Sequence, residues 1–479
     1  MVFRFLRCAF LTVAVGSIKV LMGEYLAKEE MYLAFLPQAH IMEFVVEMTW
    51  ITIGLPIAYG RLKCLTDAGV KGCKNDIQEA RPVSWTGDIW LRMALTLQSI
   101  MIGVPQVWEL LRKGIMAKVE EQGQLKKSVF NLAVKAKSRA IEKSIPGVAG
   151  VANALVFNQV RQSTGGRLRT LFNGGSMLAR STQTFLSGAL VKMIQGYGLT
   201  EGTAMACVLH PSWVTYGSVG GPVPGAEIKL VDRPEEGLGY LSTNDPPQGE
   251  VYVRGPAVFK GYFNRPQLDI EAFTHDRWFK TGDIGQWNKD GTLSIIDRVR
   301  NHVRLSGGRY VALERLEAIY RPCLFVLNGC VLAYPNHTNP AMVAVVHPIN
   351  IAAFARRHTI DFEEIEDLCN NPRMVELCLN ELNALAKKEG LRDNELLEAI
   401  VLTTDDWTPE SGFLTAAQSE YKHNVVAKHT RLTRIELRRN VIEQHYSARL
   451  DKVYKAPRLP SPSVLPDMFP APPTDIRAH

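Results

Sequence analysis

Thr200 and Glu201 place a hydroxyl beside a carboxylate in the stretch GYGLTEG, residues 196–202. Glycines around such a pair suit a loop whose backbone approaches a phosphate group closely. A Rossmann fingerprint would require glycine where Glu201 stands, and no GxxxxGK[ST] loop occurs anywhere in the sequence. The stretch therefore represents either another kind of nucleotide motif or only a tight turn.

Several other catalytic signatures are missing from the sequence. The segment GGSML at 174–178 lacks the second glycine of a GxSxG nucleophile elbow, and HExxH is absent. The cysteines and histidines show no metal-ligand spacing. Serine hydrolases and zinc enzymes are therefore disfavoured.

The composition is that of an ordinary soluble globular protein. Hydrophobic residues make up 46% of the chain and charged residues 22%. The length of 479 residues predicts two domains, with three as the alternative. A net charge of +7 without a long basic block argues against a nucleic-acid partner but allows anionic cofactors. The eight cysteines form no CxxC pair, so we interpret them as reduced, mostly buried thiols.

The sequence offers two segments that could meet a membrane. The N-terminal run ending in AVG fits a secretory signal in part, but Lys19 interrupts it. No other segment reaches the roughly 18 uninterrupted apolar residues of a membrane helix, so any membrane association is expected to be peripheral. The basic stretch 109–143 could lie on a membrane surface, although a solvated pair of amphipathic helices explains it more simply.

The pattern of residues divides the chain into a helical and a mixed part. Residues 24–160 are predicted to be mostly helical, with short strands such as 44–54. From residue 167 onward, strands punctuated by glycine, proline and aspartate predict an α/β region with a β-rich end.

The last third of the chain predicts a smaller α+β domain. Two strand-like runs, 324–335 and 341–348, precede a helix with one apolar face. That face is expected to contain Met374, Leu377, Leu382 and Leu385. The proline-rich tail 456–479 is predicted to be disordered.

Seven motifs follow one another in a fixed order: FNGGS, QGYGLTEG, GEVYVRG, KGYFN, WFKTGDIG, GTLSIIDR and LSGGRYVALERLE. Their order and spacing resemble the adenylate-forming superfamily. LPQAHIMEF at 36–44 and IGVPQVWELLRKGI at 102–115 resemble the fungal long-chain acyl-CoA synthetases in particular. The resemblance runs from about residue 17 to 455, and it implies a large α/β domain followed by a small α+β domain.

The resemblance also implies a reaction in two halves. A long-chain fatty carboxylate attacks the α-phosphate of ATP, with Mg²⁺, to give acyl-AMP and pyrophosphate. Coenzyme A then displaces AMP. The implied compartment is the cytoplasmic face of the endoplasmic reticulum, a lipid droplet or a peroxisome, with the cytosol as an alternative.

The central motif supplies the residues nearest the phosphates in this family. Thr200 would offer its hydroxyl to a phosphate oxygen, and Glu201 would offer its carboxylate to Mg²⁺, which prefers oxygen ligands. Gly196 and Gly198 would let the backbone approach the nucleotide closely. Tyr197 belongs to the same nucleotide motif.

The flanking motifs are matched to the rest of the nucleotide and to the acyl group. The resemblance places Asp283 of TGD against both ribose hydroxyls and Arg298 against the ribose or a phosphate. Asn301 matches the pivot about which the small domain rotates between the half-reactions. His40 matches a histidine near the acyl and nucleotide sites. The loop beside the adenine is expected to contain Gly174, Gly175 and Ser176.

The sequence departs from the family at its phosphate loop. The glycine-rich TSGSTGxPKG loop, expected just upstream of LPQAH, is missing, and QSTGG at 162–166 has no following lysine. We therefore expect an N-terminally truncated large domain. Two smaller departures are Arg277, where the family has glycine, and Arg309, where it has glutamate.

Two segments, 83–99 and 419–436, interrupt the resemblance, and we interpret them as retained introns or gene-model errors, with genuine surface loops as the alternative. The second segment displaces the catalytic lysine of the family, so that Ser419 stands in its place. Lys422 or Lys428 could substitute, but a shift of several residues rarely preserves a geometry that must hold within about 1 Å.

The sequence therefore predicts a truncated long-chain acyl-CoA synthetase, with a partial AMP-binding domain over 1–297 and a small domain over 298–455. The alternative is an impaired fragment that retains only partial nucleotide, acyl-CoA or membrane-surface binding. A third option is an enzyme that adenylates another carboxylic acid.

Overall fold

The computed structural model describes residues 14–16, 31–60 except 37 and 39, 98–234 except 165 and 167, 239–408, 411–414 and 437–455. Three predicted features lie outside the described residues: Lys422, the segment 419–436 and the tail 456–479. The segment predicted as an insertion at 83–99 also lies outside them, except for its last two residues, which belong to a strand that begins at Gln98.

A seven-stranded sheet forms the centre of the first part of the chain. Its order is β2-β1-β3-β4-β5-β6-β7, and the first five of these strands pair in parallel. The strands are β1 (Met31–Ala34), β2 (Ile57–Tyr59), β3 (Gln98–Gly103), β4 (Thr170–Asn173), β5 (Lys192–Tyr197), β6 (Cys207–Val208) and β7 (Gly221–Pro222). Because parallel strands are buried on both faces, β3, β4 and β5 are rich in apolar residues.

Helices cover both faces of this sheet. They are α1 (Ile41–Ile53), α2 (Pro105–Glu120), α3 (Gln124–Glu142), α4 (Val148–Ala152), α5 (Asn158–Ser163) and α6 (Arg180–Ala189), with a π-helical turn (Asn153–Phe157) between α4 and α5. On one face, Trp108 of α2 and Phe130 of α3 pack with Leu171 and Met193 of the sheet. The basic stretch 109–143 thus forms two helices, as predicted.

The prediction of a strand over 44–54 was wrong, because these residues belong to α1. The helix begins after His40, whose Nδ1 accepts a hydrogen bond from the backbone of Met42 at 3.2 Å, and it ends at Gly54 with φ of 81°. Val46 and Trp50 pack against Tyr32 of the sheet, whereas Ile41 and Val45 are buried in a different cluster. A helix buried on several sides lacks the one-sided apolar period that distinguishes a surface helix from a strand.

A second, antiparallel sheet follows the first and agrees with the predicted β-rich end. It has the order β11-β10-β9-β8. The strands are β8 (Glu227–Val231), β9 (Gln248–Arg254), β10 (Phe279–Trp287) and β11 (Leu293–Arg298), and helix α7 (Pro266–Ala272) lies between β9 and β10. A bridge between Gly220 and Leu293 joins this sheet to the end of the first.

Arg277 lies in the turn before β10 with a positive φ of 64°. Such a backbone conformation favours glycine, which explains why the family has glycine at this position. The guanidinium lies 4.1 Å from the ring centroid of Phe273 and donates to the carbonyl oxygen of Lys260 at 2.7 Å. These contacts offset part of the backbone strain.

The last part of the described chain has its own hydrophobic cores, as the predicted strands and helices require. The hairpin β12 (His302–Arg304) and β13 (Tyr310–Ala312) leads into α8 (Leu313–Tyr320). A three-stranded sheet of order β14-β15-β16 is then covered on both faces. Its elements are β14 (Val326–Leu332), β15 (Ala341–Val346), α9 (Pro348–Arg357), α10 (Ile365–Asn370), α11 (Pro372–Lys388), β16 (Ala399–Thr403) and α12 (Arg439–Lys455).

Helix α11 buries a face slightly rotated from the predicted one. Met374 and Leu382 are fully buried as expected, whereas Leu377 and Leu385 are only partly buried. Cys378 and Ala386 complete the buried stripe at a spacing of four residues. The described cysteines, Cys207, Cys323, Cys330, Cys369 and Cys378, are free and buried, as the sequence predicted.

Candidate active site

The site lies where β4 and β5 end side by side. Asn173 and Gln195 are register partners in these parallel strands. The loop with Gly174, Gly175 and Ser176 follows β4, and the turn that contains Thr200 follows β5. Ligands of open α/β sheets bind at the carboxyl ends of strands, so the topology brings the predicted motifs to the expected place.

An apolar cleft opens beside these loops, with about 1220 Å³ of space between its walls, part of it open to solvent. Helix α1 and the sheet supply its apolar walls, which include Val46, Trp50, Ile102 and Phe172. The polar residues that line the same cleft are His40, Thr200, Glu201, Asp283 and Arg298. A long apolar wall with a few grouped polar residues is typical of a small-molecule site.

A smaller polar cavity adjoins the apolar cleft, with about 660 Å³ of space that also includes open solvent. Tyr197, Gly198, Asp283 and Arg298 line both spaces, so the two meet at these residues. Ser176 lines only the polar cavity, whereas His40, Thr200 and Glu201 line only the apolar cleft. All of the described residues that the sequence predicted for the site therefore border one or both spaces.

Asp283 lies at the centre of the wall that the apolar cleft and the polar cavity share. It accepts a hydrogen bond from the hydroxyl of Tyr197 at 2.6 Å through Oδ2, and the Nε of Arg298 lies 3.4 Å from Oδ1. Asp283 and Arg298 are register partners in β10 and β11, and both are largely buried. Burial and the neighbouring carboxylate raise the pKa of Tyr197, which keeps its hydroxyl protonated as a donor.

Glu201 is held by the segment that follows β9. The hydroxyl of Tyr262 donates to Oε1 of Glu201 at 2.8 Å, and the backbone of Phe259 donates to its carbonyl oxygen at 2.7 Å. Tyr262 belongs to the motif KGYFN, to which the sequence assigned no role. The side chain of Glu201 is therefore oriented before any ligand binds. Among the described residues, no group of three or more histidine, cysteine or carboxylate side chains could hold a metal ion.

The glycines of the motif are required by the fold itself. A Cβ at Gly198 would collide with the carbonyl oxygen of Ala204, and a Cβ at Gly196 would lie 2.8 Å from the ring of Phe172. A Cβ at Gly174 would collide with Sδ of Met42. These glycines are therefore needed for close packing within the protein, and their close approach to a nucleotide stays a prediction.

A chain of three buried amides, which no sequence motif indicated, lies behind the polar cavity. Nδ2 of Asn173 donates to the carbonyl oxygen of Ser176 at 3.2 Å and to Oε1 of Gln195 at 3.3 Å. Nε2 of Gln195 donates to Oε1 of Gln183 at 2.9 Å, and Gln183 also accepts from the backbone of Gly217 at 2.9 Å. The chain connects Ser176, Gln195 and Gly217, all of which line the cavity.

Two backbone groups bonded to Gln183 determine which atom donates and which accepts in every hydrogen bond of this amide chain. The backbone N–H of Gly217 can only donate, and the carbonyl oxygen of Met193, which accepts from Gln183 at 3.1 Å, can only accept. Gln183 therefore has one orientation, which in turn orients Gln195 and Asn173.

Glu43 of α1 and Tyr32 of β1 form a buried carboxyl–hydroxyl pair near the His40 end of α1. Glu43 accepts a hydrogen bond from the hydroxyl of Tyr32 at 2.6 Å. Burial raises the pKa of Glu43 to about 8, with a contribution from the nearby Glu47. The pair joins α1 to β1 one turn after His40, and it thereby holds the end of α1 that borders the cleft.

Asn301, the predicted pivot, lies in a 3₁₀ turn (Val299–Asn301) directly after β11. Its Nδ2 donates to Oδ1 of Asp297 at 3.2 Å, and the backbone of Arg315 donates to the other carboxylate oxygen at 3.2 Å. Burial and the charge of Glu314 raise the pKa of Asp297 to about 7. The contact joins the end of β11 to the start of α8.

Comparison with known proteins shows the family of the chain. The sequence model of the AMP-binding enzyme family matches residues 9–263. Long-chain-fatty-acid–CoA ligase 2 of Schizosaccharomyces pombe is 38% identical over 449 residues, which cover 92% of this chain and 60% of that protein. A palmitoyl-CoA ligase of Gibberella moniliformis is 40% identical over 394 residues, which cover 82% of this chain and 55% of that protein. The chain thus spans a little over half the length of these curated relatives.

The fold is shared with a solved enzyme domain. The A domain of a carboxylic acid reductase from Segniliparus rugosus, in complex with AMP and a co-purified carboxylic acid, matches with a TM-score of 0.66 and 22% identity, over 93% of this chain and 58% of that chain. The predicted adenylate-forming fold and the resemblance to fungal long-chain acyl-CoA synthetases are confirmed. The ordered motifs, the cleft at the strand ends and these similarities lead to one conclusion: the chain belongs to the AMP-binding enzyme family.

Proposed function

We propose that the protein converts long-chain fatty acids to acyl-CoA through an acyl-adenylate, at the expense of ATP. The observation that carries the proposal is the junction of the apolar cleft with the polar cavity at Asp283 and Arg298. An apolar chain and a nucleotide bound in the two spaces would meet there. The names of the similar ligases, which specify long-chain fatty acids and a palmitoyl group, support the substrate class.

The polar cavity suits the nucleoside part of ATP. Oδ1 and Oδ2 of Asp283 can accept hydrogen bonds from the two ribose hydroxyls, because an ionised carboxylate is an acceptor only. Tyr197 and Arg298 hold this carboxylate at 2.6 and 3.4 Å, so its position changes little when a ligand binds. The loop of Gly175 and Ser176 would border the base.

Glu201 is suited to Mg²⁺ that arrives with ATP. Mg²⁺ is commonly bound through one or two carboxylates together with substrate phosphates, and Glu201 supplies one oriented carboxylate at the cleft. When bound, the ion would neutralise charge on the phosphates. The hydroxyl of Thr200, in the same 3₁₀ turn (Thr200–Gly202), can donate to a phosphate oxygen.

The apolar cleft suits the acyl chain. Its walls would bury methylene groups against Val46, Trp50 and Phe172, each buried methylene contributing about 0.8 kcal/mol to binding. The carboxylate would then lie at the polar junction. One carboxylate oxygen forms a bond to the α-phosphorus, and the bond from that phosphorus to the bridging oxygen breaks as pyrophosphate leaves with the electron pair.

The second half-reaction releases the nucleotide. The thiolate of coenzyme A forms a bond to the acyl carbon, and the bond from that carbon to the phosphate oxygen breaks as AMP leaves. Arg298 lies where it can stabilise the phosphate charge in both halves, because a guanidinium stays protonated and donates in a fixed geometry.

Exchange of labelled pyrophosphate into ATP, in the presence of palmitate, tests the proposal on the purified chain. We expect the Glu201→Gln variant to reduce the exchange rate by about 10²-fold, the effect of removing one oriented electrostatic contact. Glu227→Gln is the matched control, since Glu227 is exposed and pairs with Arg254 at 2.5 Å outside the cleft. Absence of palmitate-dependent exchange by the unaltered chain would contradict the proposal for this chain.

A further inference from the structure

Exposed apolar side chains are concentrated on the helices that follow α2. Of fifteen large hydrophobic residues that are exposed in the described part of the chain, seven lie between 125 and 155. They are Leu125, Val129, Leu132, Ile145, Val148, Val151 and Leu155. Single exposed apolar residues are ordinary on a protein surface, but a cluster of this kind marks an interaction site.

The apolar residues of α3 form one line along the helix. Leu125, Val129 and Leu132 are spaced by four and three residues, so they lie on one face, and they are 80%, 52% and 70% exposed. The same line continues at Arg139 and Lys143, which are also exposed. The outer face of α3 is therefore apolar in its first half and basic in its second.

The following helix adds a second apolar face beside the first. Val148, Val151 and Leu155 lie along α4 and the π-helical turn, and Leu155 is 79% exposed. The inner sides of the two helices are firmly packed, with the rings of Phe130 and Phe157 5.3 Å apart. The exposure of the outer faces is thus a property of a packed helix pair. The exposed residues between 124 and 155 are called the outer helix face below.

The charge of this region is positive. Between 124 and 143, Lys126 and Lys135 flank the apolar line, and Arg139 and Lys143 extend it, all four being exposed. The only acidic residue of that range, Glu142, lies 3.4 Å from Arg180, which offsets its charge. Lys137 points inward, where it donates to Asn153 at 2.7 Å.

We propose that the outer helix face lies on an anionic lipid surface. Helices with apolar residues on one side and lysine or arginine around them lie in the membrane interface, with the apolar side chains among the acyl chains and the cations near the headgroups. None of the described helices has the length and apolar character of a membrane span. The proposed contact lies outside both cavities and does not depend on the reaction proposed above.

Flotation with lipid vesicles tests this surface without any need for enzymatic activity. The vesicles contain phosphatidylcholine alone or with about 30% phosphatidylserine, the lipid that gives the membrane its negative charge. One variant combines Leu125→Ser with Leu132→Ser, and a second combines Arg139→Gln with Lys143→Gln. The control combines Ile270→Ser with Ile349→Ser, whose side chains are 77% and 74% exposed on other helices.

We expect the unaltered chain to float with the anionic vesicles and to bind them less as salt rises. The leucine variant should lose at least about tenfold in partition coefficient, and the basic variant about fivefold for each cation removed. The control should bind as the unaltered chain does. Substitutions at such exposed sites change stability little, and thermal unfolding verifies that each variant is folded.

Three results would overturn the proposal. The first is failure of the unaltered chain to bind anionic vesicles. The second is equal loss of binding in the leucine variant and the isoleucine control. The third is a dimer, seen by sedimentation, that the leucine variant converts to monomer while vesicle binding is absent throughout, which would assign the outer helix face to a second copy of the chain.

Discussion

The hydroxyl of Tyr197 donates to Oδ2 of Asp283 across 2.6 Å and so joins the end of β5 to the middle of β10. The two residues are far apart in sequence and belong to different sheets. Their contact forms the wall between the apolar cleft and the polar cavity. Binding of a nucleotide should therefore depend on both side chains, to different extents.

Replacement of Asp283 by asparagine should weaken binding of AMP more than replacement of Tyr197 by phenylalanine. Asp283→Asn removes a charged acceptor, which contributes about 1.5–3 kcal/mol, and should raise the dissociation constant at least tenfold. Tyr197→Phe removes one hydroxyl and should raise it about fivefold. Calorimetric titration with AMP measures both. Equal affinity of Asp283→Asn and the unaltered chain would exclude Asp283 from the nucleotide site.

The amide chain behind the polar cavity should matter for nucleotide affinity beyond its effect on stability. Asn173→Asp keeps the shape of the side chain but replaces the Nδ2 donor to Ser176 and Gln195 by an acceptor. We expect the free energy of unfolding to fall by about 2–3 kcal/mol and the dissociation constant of AMP to rise at least fivefold.

Asn383→Asp provides the control for this variant. Nδ2 of Asn383 donates to the carbonyl oxygen of Leu397 at 2.9 Å, far from the cleft. The control should lower stability without changing AMP affinity, as measured by urea unfolding and titration of the same samples. If both variants change AMP affinity equally, the amide chain has only a structural role.

Stability should fall as pH rises through neutrality because of Glu43. Its pKa is raised from an ordinary value of 4.5 to about 8 in the folded protein, so between these values the folded state holds a proton that the unfolded state has released. The stabilisation from this proton is complete below about pH 4.5 and is lost as the pH passes 8.

Glu43→Gln should remove this part of the pH dependence, since glutamine accepts the hydrogen bond of Tyr32 without titrating. The urea midpoint of the unaltered chain should drop between pH 5 and pH 8.5 by more than that of the variant. Asp297, with a pKa of about 7, contributes in the same direction and is unchanged in both proteins. Identical pH profiles would show that Glu43 is ionised in the folded state.

Deletion of 419–436 should leave the last part of the chain folded. Leu414 and Leu437 form an antiparallel bridge, and the backbone of Arg438 donates to the carbonyl oxygen of Phe413 at 2.9 Å. After the deletion, residues 415–418 would connect the bridge partners, a length that is common in hairpins. The shorter loop should raise the free energy of unfolding by about 1.5 kcal/mol.

Thermal unfolding of the deletion variant measures this change. The control deletes residues of the tail beyond 456, which should leave the unfolding temperature unchanged. A large fall in stability after deletion of 419–436 would show that this segment contributes to the fold, against its interpretation as an insertion.

Particular elements show how far the sequence could predict the fold. Helices α2 and α3 were predicted correctly because their apolar residues recur at the helical period, and strands β14 and β15 because each is a short run rich in apolar residues. Helix α1 was predicted as a strand because neighbouring elements bury it on several sides, which removes the pattern. The expected face of α11 was close to the observed one, since helix periodicity tolerates a small rotation.

The family could be recognised from the sequence alone, because seven short motifs in a fixed order are specific even where each motif alone is not. Its motifs also predicted polar residues for the site, including Thr200, Glu201 and Asp283, and these three line the same cleft. Contacts in the folded chain set which of these residues touch, make the glycines of the motif necessary for packing, and join Asn173, Gln183 and Gln195 into one chain. These relationships follow from strand register and from the packing of one sheet against another, and both depend on contacts between residues that are distant in sequence.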